Sequence, residues 1–197
     1  TTVLGLAVKI KNIFFTSDLH FCHSNIIKYC NRPFDNVDEM NEGLISNYND
    51  IVKPWDTVYY LGDISFAKNF ERVTEHIGQL NGEKILIYGN HDHLFRKDYP
   101  KLFNSCWDYY ELRENKQLYV LSHYPFFSWN KAYHGSFHFH GHCHGSIDNE
   151  NVGRNRYDVG VDSNNYHPVS LEEIVAKIDA LKKHKELLDG NSDTEVA

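Results

Sequence analysis

Ile85-Leu86-Ile87-Tyr88-Gly89-Asn90-His91-Asp92 joins four largely apolar residues to a glycine and three polar groups. The apolar half reads as a short buried strand. Gly89 lets the backbone turn sharply and approach its neighbours closely, so the strand delivers an amide, an imidazole and a carboxylate to one rim. Asn90 can offer a carbonyl oxygen to a metal, His91 can carry a proton, and Asp92 can orient its neighbour. Alone, Gly-Asn-His-Asp is equally an ordinary hairpin turn. The other strand ends of the chain tip the reading toward a site.

Ile13-Phe14-Phe15-Thr16 is a strand that runs into Ser17-Asp18-Leu19-His20. In extended backbone Asp18 and His20 point the same way, a natural pair of metal ligands. His23 follows, either as a substrate contact or as a surface residue. Asn36 and Glu39 form a capping-box-like start to a helix, in which Val37, Met40, Leu44, Ile45 and Tyr48 recur at core spacing. Thr57 to Leu61 is a second strand, ending in Gly62-Asp63. Phe70, Val73, Ile77 and Leu80 mark another amphipathic helix before Ile85. Alternating strands and helices argue for βαβ units and a largely parallel sheet, whose ligands bind beyond the strands' carboxyl ends.

The second half reads differently. Tyr109–Leu112 and Leu118–Leu121 suggest an antiparallel hairpin around residues 113–117, running into Ser122-His123-Tyr124-Pro125. An aromatic and polar loop, Phe126 to Gly135, is read from its position as shaping the substrate pocket. Phe137-His138-Phe139-His140 alternates with period two and leads into Gly141-His142-Cys143-His144, where His142 and His144 share a face. His138 and His140 are read as lining the strand's outer face. Tyr157 to Asp162 reads as a last buried strand, and Arg154 and Arg156 before it are candidates for a phosphate clamp or for a solvated basic turn. Ser170 and Glu173 cap a final helix with Leu171, Ile174, Val175, Ile178 and Leu181 inward.

The 197 residues, 41% of them hydrophobic, suffice for one domain with a proper core. Residues 1–188 are read as that domain and the polar, glycine-broken 189–197 as a disordered tail. With 27 acidic and 20 basic residues, the chain lacks the footprint of a general nucleic-acid binder. Cys22, Cys30, Cys106 and Cys143 form no CxxC pair and read as reduced thiols of a cytoplasmic protein. A structural zinc site from Cys22 and Cys143 is the disfavoured alternative. The apolar run Val3 to Val8 is too short for a signal peptide, and no run is long enough to span a bilayer. Oligomeric state is not legible.

Together D-x-H, G-D, G-N-H-D, a strand-end histidine and G-H-x-H, in this order, resemble the calcineurin-like metallophosphoesterases over roughly Ile13 to Ile178. The Asn31-Arg32-Pro33-Phe34 turn and the ending Gly160-Val161-Asp162 resemble the small bacterial and phage members. The resemblance implies an α/β fold, a four-layer α/β/β/α sandwich of two mixed sheets. It implies two divalent ions, the first on Asp18, His20, bridging Asp63 and His144, the second on Asp63, Asn90, His123 and His142. It also implies a metal-generated hydroxide as nucleophile, His91 as proton donor and Asp92 as the holder of its ring. His23, Arg32, Arg154 and Arg156 are the expected substrate contacts. Mixed nitrogen and oxygen ligands suit Mn, Fe, Zn, Ni or Co rather than Mg alone, and Mn is the ion expected to support activity in vitro. The expected substrate is a small, nucleotide-like phosphodiester; a phosphomonoester, a phosphoprotein or a non-catalytic metal-binding scaffold are the other readings.

Overall fold

In the computed structural model, residues 10–97, 100–147 and 154–192 are described. The apolar run Val3 to Val8 lies outside them. Four parallel strands, β1 (Ile13–Thr16), β2 (Thr57–Tyr60), β3 (Glu83–Ile87) and β4 (Ser105–Trp107), build most of the first sheet. Its order is β4-β3-β2-β1-β9, with β9 (Val169–Ser170) antiparallel to β1. The second sheet orders β5 (Tyr110–Glu114), β6 (Gln117–Leu121), β7 (Phe137–His140) and β8 (Arg156–Asp158). There β5 and β6 are antiparallel, and the remaining pairs are parallel. Both sheets are therefore mixed, as expected.

Period-two alternation explains why the first sheet is apolar on both faces. Phe14, Val58, Tyr60 and Leu86 pack against α1 (Ser24–Tyr29), α2 (Val37–Ile51), α3 (Phe70–Gly78) and α4 (His93–Lys97) through Ile26, Met40, Leu44, Tyr48, Val73, Ile77 and Phe95. The intervening residues Phe15, Tyr59, Leu61 and Ile87 face the other way, onto Tyr119, Leu121, Phe137 and Phe139 of the second sheet. Phe15 and Phe139 meet edge-on, 4.9 Å between centroids, a pairing worth about 0.5–1.5 kcal/mol beyond its buried area. α5 (Leu171–Ser192) closes this inner core with Ile174 and Ile178.

Local signals explain most boundaries. Asn36 accepts hydrogen bonds from the N–H groups of Asp38 and Glu39 and starts α2. Ser170 and Glu173 form a reciprocal capping box, each backbone N–H bonded to the other's side chain at 3.0 and 3.2 Å. The β5–β6 turn is tighter than residues 113–117: Asn115 and Lys116 alone turn the chain, both at positive φ, the two-residue geometry that matches strand twist. Phe70 and Leu181 are 49% and 41% exposed, so neither is core. α5 runs through Ser192, so the polar segment from Asp189 begins as helix rather than as a disordered tail, and 193–197 lie outside the described residues.

The loop Phe126 to Gly135 does not cover the pocket. It lies over the outer face of the second sheet, where Phe126 stacks on His138 at 5.0 Å. His138 and His140 do line that outer face, but both are buried, and the loop packs on His138. Nε2 of His138 accepts the Phe126 N–H, so this imidazole staples the loop down.

Candidate metal centre

The carboxyl ends of β1, β2, β3, β6 and β7 converge on one rim, zipped together by backbone hydrogen bonds. Asp18 N–H reaches Gly62 O and His20 N–H reaches Asp63 O, each at 3.0 Å. From the second sheet, Gly141 N–H reaches His123 O at 3.0 Å. Asp18, His20, Asp63, His142 and His144 all sit at positive φ, between 47° and 69°. The side chains thus converge through left-handed turns, and not through strand alternation as D-x-H and H-x-H suggest. Asp and His enter this region more readily than most residues, and such conformations cluster at functional sites because surrounding contacts enforce them.

Two groups of ligand atoms form, each within 4.8 Å of one another: Asp18 with His20 and His144, and Asp63 with His123 and His142. Asn90 joins the second group, its Oδ1 2.9 Å from Nε2 of His123. Asp63 Oδ2 stands between the groups, 3.8 Å from Nε2 of His20 and 3.6 Å from Nε2 of His123. All seven expected ligands are therefore brought together, with Asp63 where a bridge is needed. Gly89 makes room: a Cβ there would overlap the Asp63 carboxylate.

The buried polar atoms are what a cation would satisfy. Asp18 Oδ1 and both nitrogens of His20 are buried without a hydrogen-bond partner. Nε2 of His20 and of His144 face Asp18 Oδ1 at 3.9 and 4.0 Å, too far for a direct bond and open to an ion between them. Unpaired buried groups of this kind are costly. Oxygen and neutral imidazole donors fit borderline divalent ions.

Ion-free electrostatics agree. Burial lifts the Asp18 carboxyl to about 6 against the pull of His123 and His144. Burial, then the neighbouring His144 and Arg32 charges, keep His20 neutral far below the usual imidazole range. At His144 burial acts downward, but the Asp162 hydrogen bond and the Asp18 charge outweigh it and raise the ring. An ion must displace the proton that Asp18 takes up below about pH 6. The ion must also displace the proton of the raised His144 ring, so Mn²⁺ affinity is expected to fall already as pH drops toward about 6 and by at least about tenfold per unit below it. Calorimetric titrations between pH 5 and 8 check this; affinity that rises toward acid would reverse the assignment.

His91 stands at the mouth, its side chain 44% exposed and Nε2 3.9 Å from Asp63 Oδ2. Its N–H donates to Asp63 Oδ1 at 2.8 Å. Phe66, missed in the sequence, backs this rim: His23 stacks on it at 3.9 Å and His91 leans on it at 4.6 Å. His23 is thus placed beside the opening. Tyr124, 48% exposed, lies against His142 at 4.6 Å on the opposite side.

Four expectations need correction. Asp92 is fully buried and does not hold the His91 ring; its carboxylate accepts the N–H groups of Asp63, Ile64 and Gly89 at 2.9, 3.0 and 2.7 Å. Arg32 is 4% exposed, with its guanidinium turned inward onto Asp162 and the carbonyls of Asp18 and Leu19. Arg156 is 6% exposed and donates to Phe126 O under the loop. Arg154 lies away from the ligands, over the Phe127 ring at 5.6 Å. None of the three arginines clamps a phosphate at the rim.

Asp162 and Ser17 also belong to the site. Asp162 Oδ2 pairs with Nδ1 of His144 at 2.6 Å, and Ser17 Oγ donates to Asp18 Oδ2 at 2.7 Å. Both lie inside motif segments; Ser17 bonds its own neighbour, whereas nothing local marks His144 as the partner of Asp162.

Residues 11–194 match the profile of the calcineurin-like phosphoesterases. An uncharacterized protein of Methanocaldococcus jannaschii is 39% identical over 177 residues, covering 87% of this chain and 94% of that one. The gene 66 protein of Mycobacterium phage L5 is 30% identical over 183 residues, covering 78% and 88% of the two chains. The crystal structure of a protein of unknown function from Aquifex aeolicus superposes with a TM-score of 0.68 at 28% identity, over 86% of this chain and 100% of that one.

Proposed function

Since the chain belongs to the calcineurin-like phosphoesterase family, we propose that it is a dinuclear-metal-dependent phosphodiesterase acting on a small, nucleotide-like ester. The observation that carries this is the pair of ligand groups sharing Asp63, with His91 at their opening. Two divalent ions held there would activate water and stabilise the attacking and leaving oxygens of an in-line displacement.

The chain's own residues supply the rest. Asp18, His20, Asp63 and His144 would hold one ion, and Asp63, Asn90, His123 and His142 the other. Asp63 fixes the backbone of His91, so the exposed ring is directed at the opening, where it can protonate the departing alkoxide as the P–O bond breaks. His23, packed on Phe66 beside it, is a candidate contact for the ester's far side. A doubly charged monoester gains most from an arginine fork, and Arg32 and Arg156 are spent inside the fold. An imidazole rim suits a singly charged diester better. The mixed donor set suits Mn²⁺, Fe, Zn, Ni or Co, of which Mn²⁺ is our choice for activity in vitro, and the four free cysteines suit a reducing cytoplasm. No helix among the described residues is long and apolar enough to cross a membrane.

The test is hydrolysis of bis-p-nitrophenyl phosphate against p-nitrophenyl phosphate by metal-stripped protein reconstituted with Mn²⁺. Faster diester cleavage supports the proposal, and faster monoester cleavage turns it into a phosphatase. His91→Ala is expected to keep both ions and to slow turnover about 10²–10⁴-fold, most for poor leaving groups. A loss of equal size across leaving groups would take the proton-donor role away from His91.

A further inference from the structure

The two motif segments left without a role at the rim, Arg32 and Asp162, meet each other. Nε and Nη2 of Arg32 donate to the two carboxylate oxygens of Asp162, both at 2.8 Å. The pair is buried, with side-chain exposures of 0% and 6%. Each member also touches the first ligand group. Nη2 and Nη1 of Arg32 donate to the backbone oxygens of Asp18 and Leu19, at 2.7 and 3.0 Å, inside the left-handed D-x-H turn. Oδ2 of Asp162 faces Nδ1 of His144 at 2.6 Å.

We propose that Arg32 and Asp162 are a positioning pair that presets the Asp18–His20–His144 group for its metal ion. The proposal rests on the dinuclear reading above. A carboxylate at Nδ1 places the imidazole proton there and leaves Nε2 bare, directed toward Asp18 Oδ1 at 4.0 Å. Partners of this kind fix the tautomer and orientation of ligating histidines. Arg32 fixes the carboxylate bidentately, a geometry lysine cannot reproduce. With the same guanidinium it holds two carbonyls of a turn that its own backbone conformation disfavours.

A buried ion pair is weak evidence for stability, because desolvation offsets much of its attraction. What separates this pair from a purely structural one is where its spare hydrogen bonds end: on a ligand histidine and on the backbone of a ligand aspartate. Cys30 lies close enough to His144 and Asp162 to suggest another ion position. Asp162 is already engaged on both oxygens, by Arg32 and by His144, so we assign it to positioning.

Two measurements judge the proposal. In metal-free, ¹⁵N-labelled wild-type protein above pH 8, imidazole NMR is expected to find His144 protonated at Nδ1. Protonation at Nε2 overturns the pair, and this readout needs no variant that could unfold the chain. In Mn²⁺ titrations followed by electron paramagnetic resonance, Asp162→Asn and Arg32→Lys are each expected to weaken one of two ions by about 10–100-fold and to leave the other unchanged. Folded variants that take up both ions as the wild type does would overturn it. Wild-type protein that takes up no Mn²⁺ would instead overturn the dinuclear reading beneath, a result distinguishable from two-ion wild type with unaltered variants.

Discussion

Asp63→Asn is expected to lower turnover by more than about 10³-fold, beyond the usual cost of removing a single electrostatic stabiliser. The reason is that one carboxylate serves both ligand groups. Its Oδ2 lies within 4 Å of the Nε2 atoms of His20, His123 and His91, and its Oδ1 accepts the His91 N–H. An amide removes the charge, and either orientation sacrifices one of these tasks. An oxygen kept toward the ions leaves an NH₂ group against the His91 N–H. Both ions should therefore weaken, unlike the one-ion effect expected at Asp162. Mn²⁺ titration alongside diester hydrolysis separates the cases. A D63N variant with two ions bound and normal turnover would refute the bridging role.

Asp92→Ala should produce the largest loss of stability. Its carboxylate accepts three backbone N–H groups from two strand-end turns, and the substitution leaves all three buried without a partner. At about 1–3 kcal/mol per unsatisfied group, and with less than full additivity among neighbours, the expected loss is about 3–5 kcal/mol. That is a large fraction of the about 5–15 kcal/mol by which domains are stable. Asp92→Asn retains one acceptor oxygen and should lose less. Urea unfolding of metal-free protein measures both, and a D92A variant within about 1 kcal/mol of wild type would contradict this account. Asp92 thus acts before chemistry, by shaping the turn that carries Asp63. The natural guess from G-N-H-D, that the aspartate steadies the histidine beside it, fails because the turn sends one side chain into the core and the other to the mouth.

That contrast shows what was legible. Asp18, His20, Asp63, Asn90, His123, His142 and His144 each end an apolar run, so a local pattern marks them, and their order carried the family resemblance. The apolar runs at Ile13–Thr16 and Thr57–Leu61, set between helical patterns, were enough to imply βαβ units and a largely parallel sheet. What stayed hidden depends on contacts between distant segments. Arg32 has the chemistry of a phosphate clamp, and only the fold reveals Asp162 and two carbonyls around it. Arg156 and the aromatic loop were misplaced for the same reason: His138 draws the loop onto the sheet's outer face. Short elements such as β9 and α1 carry too few residues for periodicity to register.

Diester hydrolysis measured against Mn²⁺ equivalents, added stepwise to metal-stripped protein, tests the central claim most directly. With two ligand groups sharing Asp63, activity should climb through the second equivalent and level off at two ions per chain. Full activity at one equivalent, or two bound ions with no hydrolysis of diester or monoester, would contradict it.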